Sequence, residues 1–260
     1  MKGMDSDNIY KVSVVMPSLN EQANLELAVK NVITAYESLN IKGQIVIVND
    51  GSSDSTGSIA ESLAKQYSFV KVLHHETPQG IGGSFWDGAL SSDGEAVIMV
   101  PGDGENDAAE ILRYMDLMEH VDVIVPYVFN KSVRSTKRRI LSRLYRGIIN
   151  VSFGMSLNYM NGTVVYRKAV FENIELRSKG FFYQTELLIK CIRAGYLYAE
   201  VPYALKVRAE GVSKAVSLKS LKNVIKAYIS TFCSAYFCGG GKGEISPATV
   251  TYKRFRALEG

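Results

Sequence analysis

Apolar residues along the chain fall into short runs that end in polar turns, and the runs alternate with stretches of helical spacing. Residues 12–17 (Val-Ser-Val-Val-Met-Pro) make the first run, and residues 44–48 a second one rich in β-branched side chains. Residues 69–73, 97–100, 121–128, 161–167 and 196–202 read as further strands. Nearly continuous apolar runs of this length mark strands buried on both faces of a parallel sheet. Between them, Leu25, Val29, Val32, Ile33 and Tyr36 keep helical spacing, as do Ile59, Leu63 and Tyr67, and later Ile111, Tyr114, Met115 and Met118. Asn20, Asp54 or Ser55, and Asp107 are the expected helix caps, and Gly43 is expected to end the first helix. Residues 131–149, 181–194 and 218–232 predict three more helices. This alternation predicts an α/β fold, a doubly wound and mostly parallel sheet flanked by helices in a single domain. The expected layout is an extension at 1–10, the domain at 11–215, an amphipathic helix at 216–237 and a flexible, glycine-rich tail at 238–260.

Composition narrows this picture only a little. The chain has 260 residues, 47% of them hydrophobic, and a formal charge of +4, too mild for a dedicated nucleic-acid binder. Cys191, Cys233 and Cys238 show neither C-x-x-C spacing nor a disulfide framework, which fits a reducing compartment. The start MKGMDSDNIY lacks an apolar core, so no signal peptide is expected. No uninterrupted apolar segment reaches the length of a membrane span. The expectation is a cytoplasmic protein, soluble or peripheral on a membrane face.

The candidate chemistry sits where apolar runs stop. After residues 97–100 comes Pro101-Gly102-Asp103-Gly104-Glu105-Asn106-Asp107. Asp103 and Glu105 lie just beyond a strand end, and carboxylates with substrate phosphates suit Mg²⁺. An isolated acidic turn is usually only a turn. Here two other loaded turns, 18–21 and 49–56, fall on the same sheet edge, where open α/β sheets bind nucleotides. No P-loop or G-x-G-x-x-G follows the first strand. Lys131, Arg134, Lys137, Arg138, Arg139, Arg143 and Arg146 alternate with apolar residues on one predicted helix. Clustered charge of one sign suits an anionic lipid surface or a phosphorylated acceptor, with a plain solvated face as the alternative.

In order along residues 11–215, these motifs resemble those of family 2 glycosyltransferases, inverting enzymes with a GT-A fold, and among them the dolichyl- or polyprenyl-phosphate sugar synthases. VSVVMPSLNE resembles the opening strand and its P-x-x-N-E turn, and VIVNDGSSDST is similar to V-D-D-G-S-x-D-x-T. QGIGGSFWDGAL resembles the Gly-rich helix start, and PGDGENDAAEI the metal motif D-A-D-G-Q-x-x-P-E-x. EVPYALKVRAEGVSK resembles E-V-P-x-x-x-x-x-R-x-x-G-x-S-K.

The resemblance implies a nucleotide-sugar donor bound at Pro17, Leu19, Glu21, Val48, Asp50, Gly80, Gly102 and Asp103. It implies Mg²⁺ or Mn²⁺ on Asp103, with Glu105 in place of the usual Gln. Arg138, Arg139, Ser142, Arg208, Ser213 and Lys214 are the candidates to hold an acceptor phosphate, with Arg208 counted among the catalytic residues. A phosphate acceptor needs no base, whereas a glycan hydroxyl needs one, and Glu186 is the candidate, with a supporting helix-face carboxylate as the equal alternative. Asp54 is expected to shape its own turn. Pro101 replaces the first Asp of D-x-D, Asn49 the first Asp of D-D-G-S, and Gln79 a frequent base of the Gly-rich loop. These departures motivate a rival reading, a non-catalytic nucleotide-sugar-binding protein. A sugar nucleotidyltransferase is disfavoured because SLNEQANL lacks glycine and cation after the first strand.

Overall fold

Strands without a polar face must be central, and the first two are. In the computed structural model, which describes residues 10–104, 106–130, 136–204, 218–237 and 245–259, β1 (Tyr10–Ser18) buries Val12 to Met16 and β2 (Gly43–Asp50) buries every residue. The remaining strands are β3 (Val70–His75), β4 (Gly94–Met99), β5 (Val123–Val128), β6 (Val165–Arg167) and β7 (Tyr198–Tyr203). The seven form one sheet in the order β3-β2-β1-β4-β6-β5-β7. β1 to β4 pair in parallel, β6 runs antiparallel to both β4 and β5, and β5 and β7 are parallel. The strand order reverses between β1 and β4, so the crevice of a doubly wound sheet opens at their carboxyl ends.

Helices cover both faces. On one face, Val14, Met16, Ile45, Ile47 and Ile98 pack under α1 (Leu25–Ser38) and α2 (Thr56–Gln66). On the other, Val15, Val46, Val48 and Val97 pack with Phe85 of α3 (Ile81–Ser91) and Leu187 and Leu188 of α6 (Tyr183–Ala194). Gly88 permits this closeness, since a Cβ there would lie 2.4 Å from Val15 Cγ1. After β4 come the short α4 (Ala109–Leu112) and a 3₁₀ turn, Met115–Glu119, where one continuous helix was expected. Asp107 does cap this stretch, accepting from Ala109 N at 3.0 Å. α5 (Thr136–Phe153) and α7 (Leu218–Tyr236) pair through Phe153, whose ring centroid lies 6.0 Å from Tyr228 and 5.8 Å from Phe232.

Three local expectations are corrected. Asn20 does not cap α1; it sits at φ 56° and accepts from Ser53 N at 2.9 Å, tying the first turn to the second. Gly43 opens β2 instead of closing α1, because the Tyr36 ring occupies the space where a Cβ would be. The end of the chain is not a flexible tail: α8 (Val250–Glu259) is docked on the sheet. Asp122, wholly buried, accepts from Val250 N and Thr251 N at 2.9 Å each and from Thr251 Oγ1 at 2.5 Å, and pairs with Arg167 Nε at 2.7 Å. An internal carboxylate thus satisfies the open amides of a helix start 128 residues away.

Removing that carboxylate leaves the Arg167 charge and two amides unpartnered. Asp122→Ala is expected to cost about 3–5 kcal/mol, read as a lower urea midpoint, with faster tryptic cleavage at Lys253 and Arg254. A wild-type midpoint would contradict the pin.

Candidate active site at the β1–β4 crevice

The parallel pairing sets four turns on one sheet edge. The turn after β1 is stitched to the turn after β2: Asn20 N donates to Ser52 Oγ at 3.0 Å, Glu21 N to Thr56 Oγ1 at 2.8 Å and Ser55 N to Gln22 Oε1 at 3.1 Å. Asp54 accepts from Thr56 N at 2.9 Å and so shapes its turn, in line with expectation. Pro17 and Glu21 are half-buried at the mouth and Leu19 is exposed there, all three available to a ligand. The Val48 side chain is enclosed in the core beside Gly88 of α3.

Asp50 is the centre of the edge. Only 4% exposed, it accepts from Gln79 N at 2.7 Å through Oδ1 and from Gly80 N at 2.9 Å through Oδ2. His75 Nδ1 lies 2.7 Å from Oδ1. Burial alone would raise the Asp50 pKa; the bonds from His75, Gln79 and Gly80 outweigh it and hold the carboxyl below the usual range. The expected donor contact is therefore, in this structure, the anchor of the Gly-rich turn. Gly80 is required there, with φ 84° and Lys179 O only 2.7 Å from where a Cβ would stand. Asn49 points away from the crevice, its amide nitrogen 3.0 Å from His74 Nδ1, while His74 Nε2 lies 2.9 Å from Glu61. The departure from Asp at 49 is absorbed by this packing.

At the end of β4 the pairing runs on through Gly102 N, which donates to Pro17 O at 3.1 Å. Gly102 is buried so closely that a Cβ would lie 2.4 Å from Ser18 Oγ. This fixes the backbone leading to the half-exposed Asp103. Glu105 lies outside the described residues, as do Arg208, Ser213 and Lys214. Among the described residues no group of three His, Cys, Asp or Glu side chains could hold a metal ion. One carboxylate at a crevice mouth still fits the Mg²⁺ mode in which substrate phosphates supply further ligands.

Glu186 stands apart from the expected base role. It is 1% exposed, accepting from Arg177 N at 3.0 Å and Ser178 N at 2.8 Å, with Lys190 Nζ at 2.5 Å. Burial would raise its pKa, but the bonds from Lys190, Ser178 and Arg177 prevail and hold it low. A carboxylate held low and fully engaged is a clamp on the 177–179 backbone, which corrects its expected role as a base. That backbone touches the donor side: Gly82 N donates to Lys179 O at 2.9 Å, and Lys179 Nζ to Gln79 Oε1 at 3.0 Å.

Arg138 and Arg139 are exposed and Ser142 is half-buried near the start of α5, which follows β5 on the same edge as Asp103. β7 ends on that edge too, and Ala204 N, just after it, donates to Glu110 Oε2 at 3.0 Å. His75 and Lys179 escaped sequence reasoning. The register places His75 directly across from Asp50, a signal readable once β2 and β3 are paired; Lys179 carries no local signal.

The sheet order and switch-point crevice define a GT-A-type glycosyltransferase scaffold. Among solved structures, glucosyl-3-phosphoglycerate synthase from Mycobacterium tuberculosis with uridine diphosphate superposes at TM-score 0.62 and 19% identity, covering 87% of this chain and 80% of that one. The same enzyme with Mn²⁺, UDP-glucose and phosphoglyceric acid gives 0.61 at 18% identity, covering 87% and 79%. The model of glycosyl transferase family 2 matches residues 13–175. The chain is 30% identical over 214 residues to a polyprenol monophosphomannose synthase of Mycolicibacterium smegmatis, across 77% of this chain and 79% of that protein. It is 27% identical over 212 residues to a dolichol-phosphate mannosyltransferase of Pyrococcus furiosus, across 78% of this chain but only 59% of that protein. The chain belongs to glycosyltransferase family 2 and is a glycosyltransferase.

Asp50 and Glu186 carry a pH signature. A carboxyl held low in the folded state contributes stability that is fully present above its unfolded pKa of about 4 and is lost as pH falls through the lower, folded value. Thermal midpoints are expected to hold between about pH 5 and 8 and to fall on acidification below about 4. Glu186→Gln should lower the neutral midpoint and flatten the acid limb. An unchanged acid limb in that variant would contradict the clamp.

Proposed function

We propose that the chain transfers a sugar from a nucleotide-sugar donor to a polyprenyl phosphate, with inversion at the anomeric carbon. The observation that carries this reading is the convergence of four turns at the β1–β4 switch point, with Asp103 at its mouth. The names of the two relatives, one a polyprenol and one a dolichol-phosphate mannose enzyme, support the acceptor class. The nucleoside lies along Pro17, Leu19 and Glu21, against the Gly-rich turn that Asp50 anchors. Asp103, joined by Glu105, would hold Mg²⁺ or Mn²⁺, which when bound stabilises the charge of the leaving diphosphate as a Lewis acid. A phosphate oxygen of the acceptor forms the new bond to the anomeric carbon as the bond to the donor's diphosphate breaks, and the diphosphate leaves with the electron pair. That oxygen is already ionised at neutral pH, so no general base is needed. Arg138, Arg139 and Ser142, with Arg208, Ser213 and Lys214, orient the acceptor phosphate.

A prenyl chain lies in a bilayer, so transfer needs a surface contact. Ile140, Leu141, Leu144, Ile148 and Val151 of α5 stand exposed, as do Leu221, Ile225 and Ile229 of α7. Arg138, Arg139, Arg143, Lys222 and Lys226 are exposed on the same two helices. Apolar residues among cations suit the headgroup layer of an anionic membrane. Among the described residues no helix is long and apolar enough to cross one.

Asp103→Asn is expected to cut metal-dependent transfer to polyprenyl phosphate by about 10²–10³-fold with an unchanged circular dichroism spectrum; full activity would remove Asp103 as metal ligand. Leu144→Glu should weaken co-sedimentation with anionic vesicles about tenfold, and failure of the wild-type chain to sediment would refute the membrane contact. Pro101 favours one second reading, a non-catalytic nucleotide-sugar binder. Tight binding of UDP- or GDP-sugars with neither transfer nor hydrolysis would select it.

A further inference from the structure

Three buried carboxylates in this chain are satisfied in the same way, each by two consecutive backbone amides and one basic side chain. Asp122 takes Val250 N and Thr251 N with Arg167; Glu186 takes Arg177 N and Ser178 N with Lys190. Asp50 takes Gln79 N and Gly80 N, and its third partner is His75. In the first two sets the basic partner is permanently charged at neutral pH, and it balances a carboxylate that would be costly to bury alone. His75 occupies that place in the third.

The second nitrogen of the ring supports this. His75 Nε2 lies 3.2 Å from Asp87 Oδ2 on α3, and the side chain is only 13% exposed. An ionised carboxylate accepts hydrogen bonds and cannot donate them, so the ring donates from Nδ1 to Asp50, with Nε2 set beside Asp87. The ring also braces both ends of one connection, since β3 ends at His75 and Asp87 lies in the helix that follows the Gly-rich turn. Gly51, at φ 70°, leaves room for Pro78 of that turn against the end of β2.

We propose that His75 is the positioning residue of the donor turn: bonded to Asp50 and set beside Asp87, it holds the Gln79 and Gly80 amides in place for nucleotide binding. The proposal rests on the donor site placed above and adds to it a residue that need not touch the donor.

Two measurements test it. Hydrogen exchange of the ligand-free chain over residues 76–84 reads the turn directly. His75→Ala should speed exchange at Gln79 and Gly80 at least tenfold while β1 and β2 keep their protection, and His75→Arg, a cation with several donors, should restore most of it. Titration with UDP and GDP in the presence of Mn²⁺ reads the consequence. For the nucleotide that wild type binds, His75→Ala should weaken affinity about ten- to a hundredfold, His75→Arg should recover it, and donor KM should rise with kcat changed less than twofold. Unchanged exchange in His75→Ala, or an Arg variant no better than Ala, would overturn the proposal. Wild type that binds neither nucleotide would instead refute the donor site, and the exchange measurement would still decide the role of His75.

Discussion

A carboxylate at the end of a central strand, closed off from water, must find its partners inside the protein, and Asp50 finds them in the turn that follows the next strand. Burial makes the arrangement strict. An ionised group in this position is tolerated only when its lone pairs are met, and the partners are two adjacent amides and an imidazole. The turn is glycine-rich because the geometry leaves no room for side chains: Gly80 faces Lys179 O and Gly82 faces Ser178 O. The donor side of the crevice therefore follows from one charge and the backbone folded around it.

The same device joins distant parts of the chain elsewhere. Glu186 fixes the 177–179 backbone, which meets the donor turn through Lys179, so two buried carboxylates set two touching loops from opposite sides. Asp122 works at the other edge of the sheet and holds α8 in place. The hydrophobic core supplies a rigid sheet, and these three charges position the segments that the core alone would leave free to shift. Asp103 is placed differently, by continued β1–β4 pairing through Gly102, which brings a half-exposed carboxylate to the mouth of the crevice.

Much of this was legible in the sequence, and the reasons differ by element. β1, β2 and β4 were readable because strands buried on both faces leave continuous apolar runs, and their turns because Pro, Gly and Asp punctuate them. β6 carries only three residues, Val165–Arg167, and its antiparallel direction has no local signature. The docking of α8 was invisible because its partner, Asp122, sits 128 residues earlier in an unremarkable Val-Asp-Val. Asp50 and Glu186 were singled out as carboxylates near a ligand edge. Their engagement by backbone amides depends on contacts between turns that no periodicity encodes. The departures Asn49 and Pro101 separate on the same grounds: His74 and Glu61 explain the first, and nothing in the structure explains the second.

The most direct test of the donor site is hydrogen exchange of the wild-type chain with and without a nucleoside diphosphate and Mn²⁺. The account predicts protection appearing together over residues 17–22, 49–52, 78–83 and 101–104, with the cavity lined by Lys11, Arg167, Lys253 and Arg254 on the opposite edge unchanged. Protection confined to that opposite cavity, or its absence from the four turns at saturating nucleotide, would contradict it.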